Sequence, residues 1–198
     1  KDTGVYHAMN KGIVLSKGEW IIFMNSGDIF FNKFVLQKIS KKISFKLDVI
    51  FGDTSIDHLF LNVCKKSNYF HENTAIMPFC HQSVFVKSSL LKKQNFSLKY
   101  RYSSDFNFFY IFYLNKKNFK KINLIISKVV SGGLADKNRQ KVFNENLMIV
   151  ERNNSKNLKY ILFKMKLNQY FKDLCKMVIP DFIKKIILKN KYRNSILK

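Results

Sequence analysis

Short apolar blocks separated by polar turns run along the first part of the chain. A continuous apolar run from Trp20 to Met24 lies between Gly18 and the polar segment Asn25-Ser26-Gly27-Asp28. Such a run is typical of a strand buried on both faces, as in a parallel sheet. Residues 48–53 repeat the pattern, and interleaved apolar and lysine residues over 34–45 predict an amphipathic helix between the two. The order strand, helix, strand indicates an α/β domain.

The same kind of pattern predicts the remaining elements of this domain. Helices are predicted over 6–15, 88–93, 106–114 and 138–152, and strands over 59–63, 84–86 and 122–126. Ser103-Ser104-Asp105 suits a helix N-terminus, because small hydroxyl and acidic side chains accept hydrogen bonds from the free N–H groups there. Ser131-Gly132-Gly133 is either a simple turn or a flexible loop over a ligand.

The end of the chain has a different character. Apolar residues from Leu158 to Val178 recur at roughly helical spacing, Pro180 interrupts them, and a shorter basic helix is predicted after it. We therefore divide the chain into a domain over 1–152 and a basic amphipathic helical tail over 153–198. Such a tail either lies on an anionic membrane or packs on the domain with a solvated lysine face, and the sequence favours neither.

The chain is strongly basic, and its charge bears on possible partners. Its 198 residues include 36 Lys+Arg and 13 Asp+Glu, a formal net charge of +23. This positive field attracts phosphates, anionic lipids or nucleic acid without choosing among them. Four arginines leave 32 lysines among the basic residues. Because sequence-specific DNA readers use arginine against guanine, we expect no specific nucleic-acid partner.

Composition also excludes several classes of protein. A hydrophobic content of 46% is too high for a disordered chain. No apolar run reaches the roughly 18 residues of a membrane-spanning helix. Cys64, Cys80 and Cys175 lack CxxC spacing, which argues against a disulfide framework or a structural zinc site and favours a reducing compartment.

Three polar segments are candidates for chemistry. Asn25–Asp28 follows a predicted strand, where a carboxylate could hold a divalent metal that bridges a diphosphate, although these residues also favour a plain turn. His81 could donate to a phosphate or act as an acid or base, or be a partly buried histidine with an ordinary hydrogen bond. Asp105 could be a general base, because an apolar surround raises a carboxyl pKa toward working pH, or it could cap its helix.

Read in order, several blocks carry a resemblance to a known family. The first block is Asp2 to Gly12 (DTGVYHAMNKG) and the second is Gly18 to Asp28 (GEWIIFMNSGD). They resemble family 2 glycosyltransferases, and more narrowly the bacterial branch that builds O-antigen, capsule or colanic-acid-type surface polysaccharides. Further matching segments, which extend the resemblance over about residues 1–135, are 51–53, 78–85, 104–106 and 132–133.

The resemblance implies a partial GT-A fold, a Rossmann-like mixed sheet flanked by helices, and roles for particular residues. Residues implied to bind the nucleotide-sugar donor or its diphosphate are Asp2, Asn10, Lys11, Asn25 and Asp28. Asp105 takes the place of the general base, and His81 and Gln82 line the acceptor or diphosphate side. The family's acidic motif, usually D-x-D, is reduced here to Asp28, which alone would hold Mg²⁺ or Mn²⁺.

The family's domain opens with a strand and turn that hold the nucleotide base, upstream of the first block. That unit is absent from this sequence, so we expect the 198 residues alone to bind donor poorly and to lack activity.

The expected function is transfer of a sugar from a nucleotide-diphosphate donor to a saccharide, with inversion, in surface polysaccharide synthesis. Family and charge together point to a lipid-linked acceptor at the cytoplasmic face of the membrane. The alternative is a nonenzymatic basic module or an inactive remnant that binds anionic membrane or nucleic acid. Such a module would bind in a strongly salt-dependent way and would ignore nucleotide sugars.

Overall fold

A mixed β-sheet forms the centre of the structure, a computed structural model. The residues that it describes are 1–58, 61–71, 75–153, 163, 167–168, 170–171, 174–175, 177–191 and 195. The strands are β1 Trp20–Ile21, β2 Ile29–Phe30, β3 Val49–His58, β4 Leu61–Lys65, β5 Val84–Lys87 and β6 Phe119–Val130. The helices are α1 Val5–Leu15, α2 Val35–Ser40, α3 Ser88–Lys93, α4 Ser104–Leu114, α5 Leu134–Lys137, α6 Arg139–Asn153 and α7 Asp181–Lys191. A 3-10 turn over His81–Ser83 precedes β5.

β3 organises the sheet, whose strand order is β1-β5-β3-β6-β2, with β4 beside β3. One edge of β3 pairs in parallel with β6. The other edge pairs antiparallel with β5 at residues 49–51 and with β4 at residues 54–58. The predicted α/β fold, a mixed sheet flanked by helices, is confirmed, and the sheet is curled.

Successive residues of a strand point to opposite sides of the sheet. The apolar residues of the central strands therefore need cover on both faces, and helices provide it. Val49 and Phe51 pack into a large aromatic-rich cluster with α1, α3, α4 and α6, whereas Ile50 packs into a smaller cluster with α2. Within the large cluster α4 is apolar on most sides, as is typical of a helix enclosed by its neighbours. Its buried aromatic residues are Phe106, Phe108, Phe109, Tyr110 and Phe112. This packing fixes the start of α4, where Asp105 lies.

The predicted helices over 6–15, 88–93, 106–114 and 138–152 are confirmed to within two residues at their ends. The helix predicted over 34–45 is wrong in length, since α2 ends at Ser40. After it, Lys42 N donates to Ile39 O at 2.8 Å, a tightened last turn that commonly closes a helix. β2 and the short α5 were not predicted.

The strand predicted over 20–24 is the main error. β1 covers only Trp20–Ile21, is half-buried and pairs antiparallel with β5, not in parallel. It is at one end of the strand order, and its pairing ends at Ile21. Beyond it, Ile22 packs against the smaller cluster and Phe23 against the large one. A short apolar run in a sequence indicates that the segment is buried, but it does not predict which strand the segment pairs with or in which direction.

The central strands are longer than predicted because they continue through buried polar residues. β3 runs on to His58, and Asp53, Thr54 and Ser55 are all buried. β6 covers 119–130, of which 122–126 was predicted. Of the strand predicted over 59–63, Leu61–Val63 is part of β4, and residues 59–60 lie outside the described part of the chain.

The tail is described in part. The helix predicted after Pro180 is confirmed as α7, and Phe182 and Ile186 on it are exposed. Near the end of the chain, Ser195 O accepts a hydrogen bond from Cys64 N of β4 at 2.7 Å. Much of the helix predicted over 158–178 lies outside the described residues, and the division of the chain at residue 152 stays a prediction. No helix within the described part combines the length and apolar character needed to cross a membrane.

Candidate active site

Asp105 lies in the first turn of α4, with its carboxylate held by three donors. Tyr6 Oη donates to Oδ1 at 2.8 Å and the N–H of Phe106 donates to the same oxygen at 2.9 Å. Nδ1 of His81 lies 3.2 Å from Oδ2. Ser103 is the N-cap residue and makes no side-chain capping bond, so Asp105 is the side chain that accepts from a first-turn N–H. The two interpretations of Asp105, as a helix-capping residue and as a candidate general base, therefore both apply to this carboxylate.

The pKa of Asp105 is lowered, not raised toward working pH as the sequence suggested. Burial by itself raises it, but the hydrogen bond and positive charge of His81, the hydroxyl of Tyr6 and the Phe106 N–H together outweigh burial. Asp105 is thus a carboxylate over the whole physiological range. Burial raises the pKa of Tyr6 well above its usual value, and the charge of Asp105 adds to this, so Tyr6 stays a donor.

His81 links Asp105 to the turn over Asn25–Asp28. Its Nε2 lies 3.5 Å from Nδ2 of Asn25, while its Nδ1 faces Asp105. The structure therefore brings together three of the predicted site residues, Asn25, His81 and Asp105, which are far apart in the sequence.

The turn itself is a tight one. Asp28 N donates to Asn25 O at 3.0 Å, and Gly27 has φ 89°, the left-handed conformation that a type II turn needs at its third residue. The carboxylate of Asp28 folds back, its Oδ2 accepting from Asn25 N at 2.9 Å. The turn reading is correct, and the same turn presents Asp28 beside the Asn25–His81 contact.

A ladder of buried hydroxyls anchors the 3-10 turn that carries His81. Thr54 Oγ1 donates to Ser83 Oγ at 2.7 Å, and Ser83 Oγ lies 2.6 Å from Ser127 Oγ. These residues come from β3, the 3-10 turn and β6, so the turn is bonded directly to the centre of the sheet. Gln82 is held by Cys80, whose Sγ donates to Oε1 at 2.7 Å.

The remaining predicted donor residues lie at the start of the chain. Asp2 pairs with Nζ of Lys11 at 2.8 Å, and this ion pair lowers the pKa of Asp2. Both side chains are about half exposed. Asn10 has a packing role, because its amide both donates to and accepts from the backbone of Phe96 at 2.9 Å. Their contact with a donor stays a prediction.

Two residues that hold Asp105 were missed as site residues. Tyr6 lies inside the first motif block, and that position was the sequence signal that could have identified it. Glu145 on α6 accepts hydrogen bonds from the backbone N–H groups of Arg101, Tyr102 and Ser103 at 2.8–3.1 Å, just before α4. One carboxylate in a polar-faced helix carries no sequence signal for such a role.

The site offers few side chains that could bind a metal ion. The described residues contain no group of three or more His, Cys, Asp or Glu side chains arranged to hold a metal ion. Asp28 offers one carboxylate, which fits a cation that takes most of its ligands from phosphates and water, as Mg²⁺ commonly does.

A cavity of about 390 Å³ lies elsewhere, near the C-terminal end of α4. Its lining residues are Tyr69, Phe70, Tyr113, Lys116, Lys117, Asn118 and Phe119. From Asp105 to Tyr113 the helix rises by roughly 12 Å, at 1.5 Å per residue. The cavity is therefore separate from the Asp105 site.

Comparison with known proteins gives both sequence and structural relatives. No protein-family model matches the chain. It is 27% identical over 118 residues to the PGL/p-HBAD biosynthesis glycosyltransferases of Mycobacterium bovis (strain BCG / Pasteur 1173P2) and Mycobacterium tuberculosis (strain ATCC 25177 / H37Ra). The match covers 54% of this chain and 43% of each relative, so the chain matches less than half the length of these curated proteins.

The fold is similar to that of S. aureus TarS. TarS 1–349 in complex with UDP-GlcNAc superposes with a TM-score of 0.53 at 15% identity, over 87% of this chain and 54% of that one. TarS 1–349 without ligand gives a TM-score of 0.52 at 15% identity, over 86% and 52% of the two chains. A complex of TarS 1–349 with UDP gives 0.50 at 15% identity, over 82% and 50%. These likenesses establish a shared fold.

Proposed function

We propose that this chain carries the catalytic part of a glycosyltransferase that moves a sugar from a nucleotide-diphosphate donor to a saccharide acceptor. The observation that carries the proposal is the ionised Asp105 carboxylate, oriented by Tyr6 and His81 and linked through His81 to the Asn25–Asp28 turn. The mycobacterial glycosyltransferases and the UDP-GlcNAc complex of TarS support it.

The reaction that suits this arrangement is a direct displacement. A carboxylate oxygen of Asp105 takes the proton of an acceptor hydroxyl as the hydroxyl oxygen attacks C1 of the donor sugar. The bond from C1 to the diphosphate breaks, the diphosphate leaves with that electron pair, and the configuration at C1 inverts. General-base assistance of this kind is worth about 10²–10⁴ in rate.

The donor side is assigned to the Asn25–Asp28 turn and to the start of the chain. Asp28 would hold a Mg²⁺ or Mn²⁺ ion, which when bound supplies positive charge to the departing diphosphate. Asn25 would orient the diphosphate from beside His81, and Lys11 and Asp2 would face the nucleotide. Gln82 would line the acceptor or diphosphate side.

The narrower assignment is to family 2, in the branch that makes bacterial surface polysaccharides, with a lipid-linked saccharide as acceptor. The two motif blocks over 2–12 and 18–28 support the family. The basic tail supports a reaction at the inner face of the cytoplasmic membrane, because residues 153–198 carry 12 basic and two acidic side chains.

Ligand-observed NMR with a panel of nucleotide sugars tests the proposal on the protein encoded by the complete gene. We expect UDP-GlcNAc or another nucleotide-diphosphate sugar to bind saturably, to be displaced by its nucleoside diphosphate and to weaken when EDTA removes divalent cations. If no member of the panel binds at millimolar concentration, the proposal is wrong. Transfer is then measured with the donor that binds.

The second candidate function is nonenzymatic binding to an anionic surface through the tail. It is favoured by the exposed apolar side chains of α7 and the residues before it, including Met177 and Val178, in a segment rich in lysine. The two functions are compatible, because the tail and Asp105 belong to different parts of the chain.

A further inference from the structure

Tyr6 of α1 is buried beside Asp105, and its hydroxyl faces that carboxylate. The hydroxyl lies 2.8 Å from Asp105 Oδ1 and 3.2 Å from the carbonyl oxygen of Tyr102. A tyrosine hydroxyl has one hydrogen to donate, and a carboxylate is the stronger acceptor. The shorter contact therefore receives the hydrogen.

The donors around Asp105 fill its two oxygens unequally. A carboxylate has about four lone-pair sites, two on each oxygen. On Oδ1, Tyr6 and the Phe106 N–H occupy both. On Oδ2, His81 occupies one. Among the described contacts, one site on Oδ2 is left for a further donor such as a substrate hydroxyl.

We infer that Tyr6 is a positioning residue for transfer: by filling Oδ1 it directs Asp105 so that Oδ2 receives the acceptor proton. This inference rests on the proposed function of Asp105 as the base. It adds a residue from the first motif block to the reaction and names the carboxylate oxygen that reacts.

The charged and titratable groups around Asp105 come from each element packed on it. They are Tyr6 from α1, Cys80 and His81 from the segment before β5, and Glu145 from α6. Glu145 affects Asp105 indirectly, because its carboxylate is hydrogen-bonded to the backbone of residues 101–103. Tyr6 supplies a neutral hydrogen bond, so removing its hydroxyl alters Asp105 without changing net charge.

The simpler explanation is that Tyr6 only packs the core. Its ring lies 5.6 Å from that of Phe96 and belongs to the large cluster. Phenylalanine keeps the ring and loses only the hydroxyl, so Tyr6→Phe separates the two roles. Tyr100 is a second buried tyrosine of the same cluster, and Tyr100→Phe is the matched control.

The test compares Tyr6→Phe, Tyr100→Phe and the unmodified protein from the complete gene. Carboxyl ¹³C NMR follows the titration of Asp105, assigned with Asp105→Asn, and steady-state kinetics follow transfer. In Tyr6→Phe we expect the titration midpoint of Asp105 to rise and the acid limb of the pH–rate profile to move to higher pH with it. We expect kcat to fall about tenfold, as the loss of one hydrogen bond implies, while the KM for the donor stays constant. Tyr100→Phe should change none of these.

An Asp105 midpoint that does not move in Tyr6→Phe, or an equal loss of kcat in both variants, overturns the inference. If the unmodified protein binds and transfers no sugar while the midpoint still moves, the proposed function has failed and the positioning role fails with it, although the hydrogen bond is real. Should Tyr6→Phe not fold, the Cζ signal of Tyr6 in the unmodified protein must follow the Asp105 titration. A Cζ signal indifferent to it also overturns the inference.

Discussion

Asp105 is ionised because of its hydrogen-bond partners and in spite of its burial. Its side chain is 17% exposed, which by itself would favour the neutral form. The donors from His81, Tyr6 and Phe106 reverse this, so the pKa lies below its usual value. A base of this kind is ionised, and so able to accept a proton, at any physiological pH.

The lowered pKa of Asp105 predicts how stability depends on pH. A carboxyl with a depressed folded-state pKa contributes stability that is present above its unfolded value, about 3.9, and is lost as pH falls through the folded value. We expect Asp105→Asn to be less stable than the unmodified protein at pH 6 and this difference to shrink below about pH 4. Urea unfolding at both pH values measures it, and a difference that grows on acidification would contradict the stated sign.

The site residues differ in how far the sequence could identify them. Asp28, His81 and Asp105 stand in recognisable motif positions, and the structure brings His81 and Asp105 into contact. The direction of the Asp105 pKa shift could not be predicted, because it depends on Tyr6 and His81, which come from distant segments. Sequence shows that a carboxyl starts a helix, but not which donors surround it.

Two elements, α4 and α6, together set the position of the site. Glu145 on α6 binds three successive backbone N–H groups just before α4. It thereby accepts hydrogen bonds from the free backbone N–H groups that precede the helix, as an N-cap side chain does for those of the first turn.

Glu145→Gln should loosen this connection. Hydrogen bonds to a charged acceptor are worth about 1.5–3 kcal/mol, and we expect a loss of stability in that range. Transfer should fall as well, because the start of α4 carries Asp105. Glu151→Gln, an exposed carboxylate on the same helix, is the control and should have little effect. Equal stability of the two variants by urea unfolding would show that the contact is unimportant.

β3 depends on a glycine at the point where its register against β6 shifts. The shift lies between Phe51 and Asp53, on either side of Gly52. A Cβ at Gly52 would overlap the carbonyl oxygen of Leu124 and lie 2.9 Å from Ile126 Cδ1. The two parallel strands approach too closely there for any side chain.

Gly52→Ala should therefore destabilise the protein by about 1–3 kcal/mol, as overpacking does. Gly12→Ala is the matched control, because Gly12 is inside α1 and an added Cβ meets no atom within 4 Å. The control should raise stability by about 0.5–1 kcal/mol through helix propensity. Thermal unfolding of both variants measures the contrast, and a neutral Gly52→Ala would contradict the packing described.

Long strands were harder to predict than helices for a physical reason. α1, α3, α4 and α6 show their apolar spacing within a few turns, so their bounds were nearly correct, whereas α2 ends five residues earlier than predicted. β3 continues through Asp53, Thr54 and Ser55, which are buried only because partners such as Lys66, Ser67 and Ser83 satisfy them. Those partners are not adjacent in sequence, so a polar segment that ends a strand and one that continues it look alike.

A basic tail follows the α/β domain along the chain. The exposed apolar residues of the tail, including Phe171, Met177 and Phe182, are interspersed with lysines. A surface of this kind suits the boundary between anionic headgroups and acyl chains.

Removal of residues 153–198, the basic tail, should abolish binding to anionic vesicles. We expect the intact protein to sediment with phosphatidylserine vesicles far more than with phosphatidylcholine vesicles, and less as salt rises, since about 1 kcal/mol per basic residue near the surface is electrostatic. Equal sedimentation of the intact and shortened proteins would place the membrane contact elsewhere or nowhere.

A single comparison tests whether Asp105 is the base of a sugar transfer. Transfer and donor binding are measured for the protein encoded by the complete gene, for Asp105→Asn, and for Asp57→Asn, which removes a surface carboxylate paired with Lys128. We expect Asp105→Asn to lower kcat by about 10²–10⁴ and to leave donor affinity within about twofold, and Asp57→Asn to behave as the unmodified protein. Transfer by Asp105→Asn at the rate of the unmodified protein would show that Asp105 is not the base.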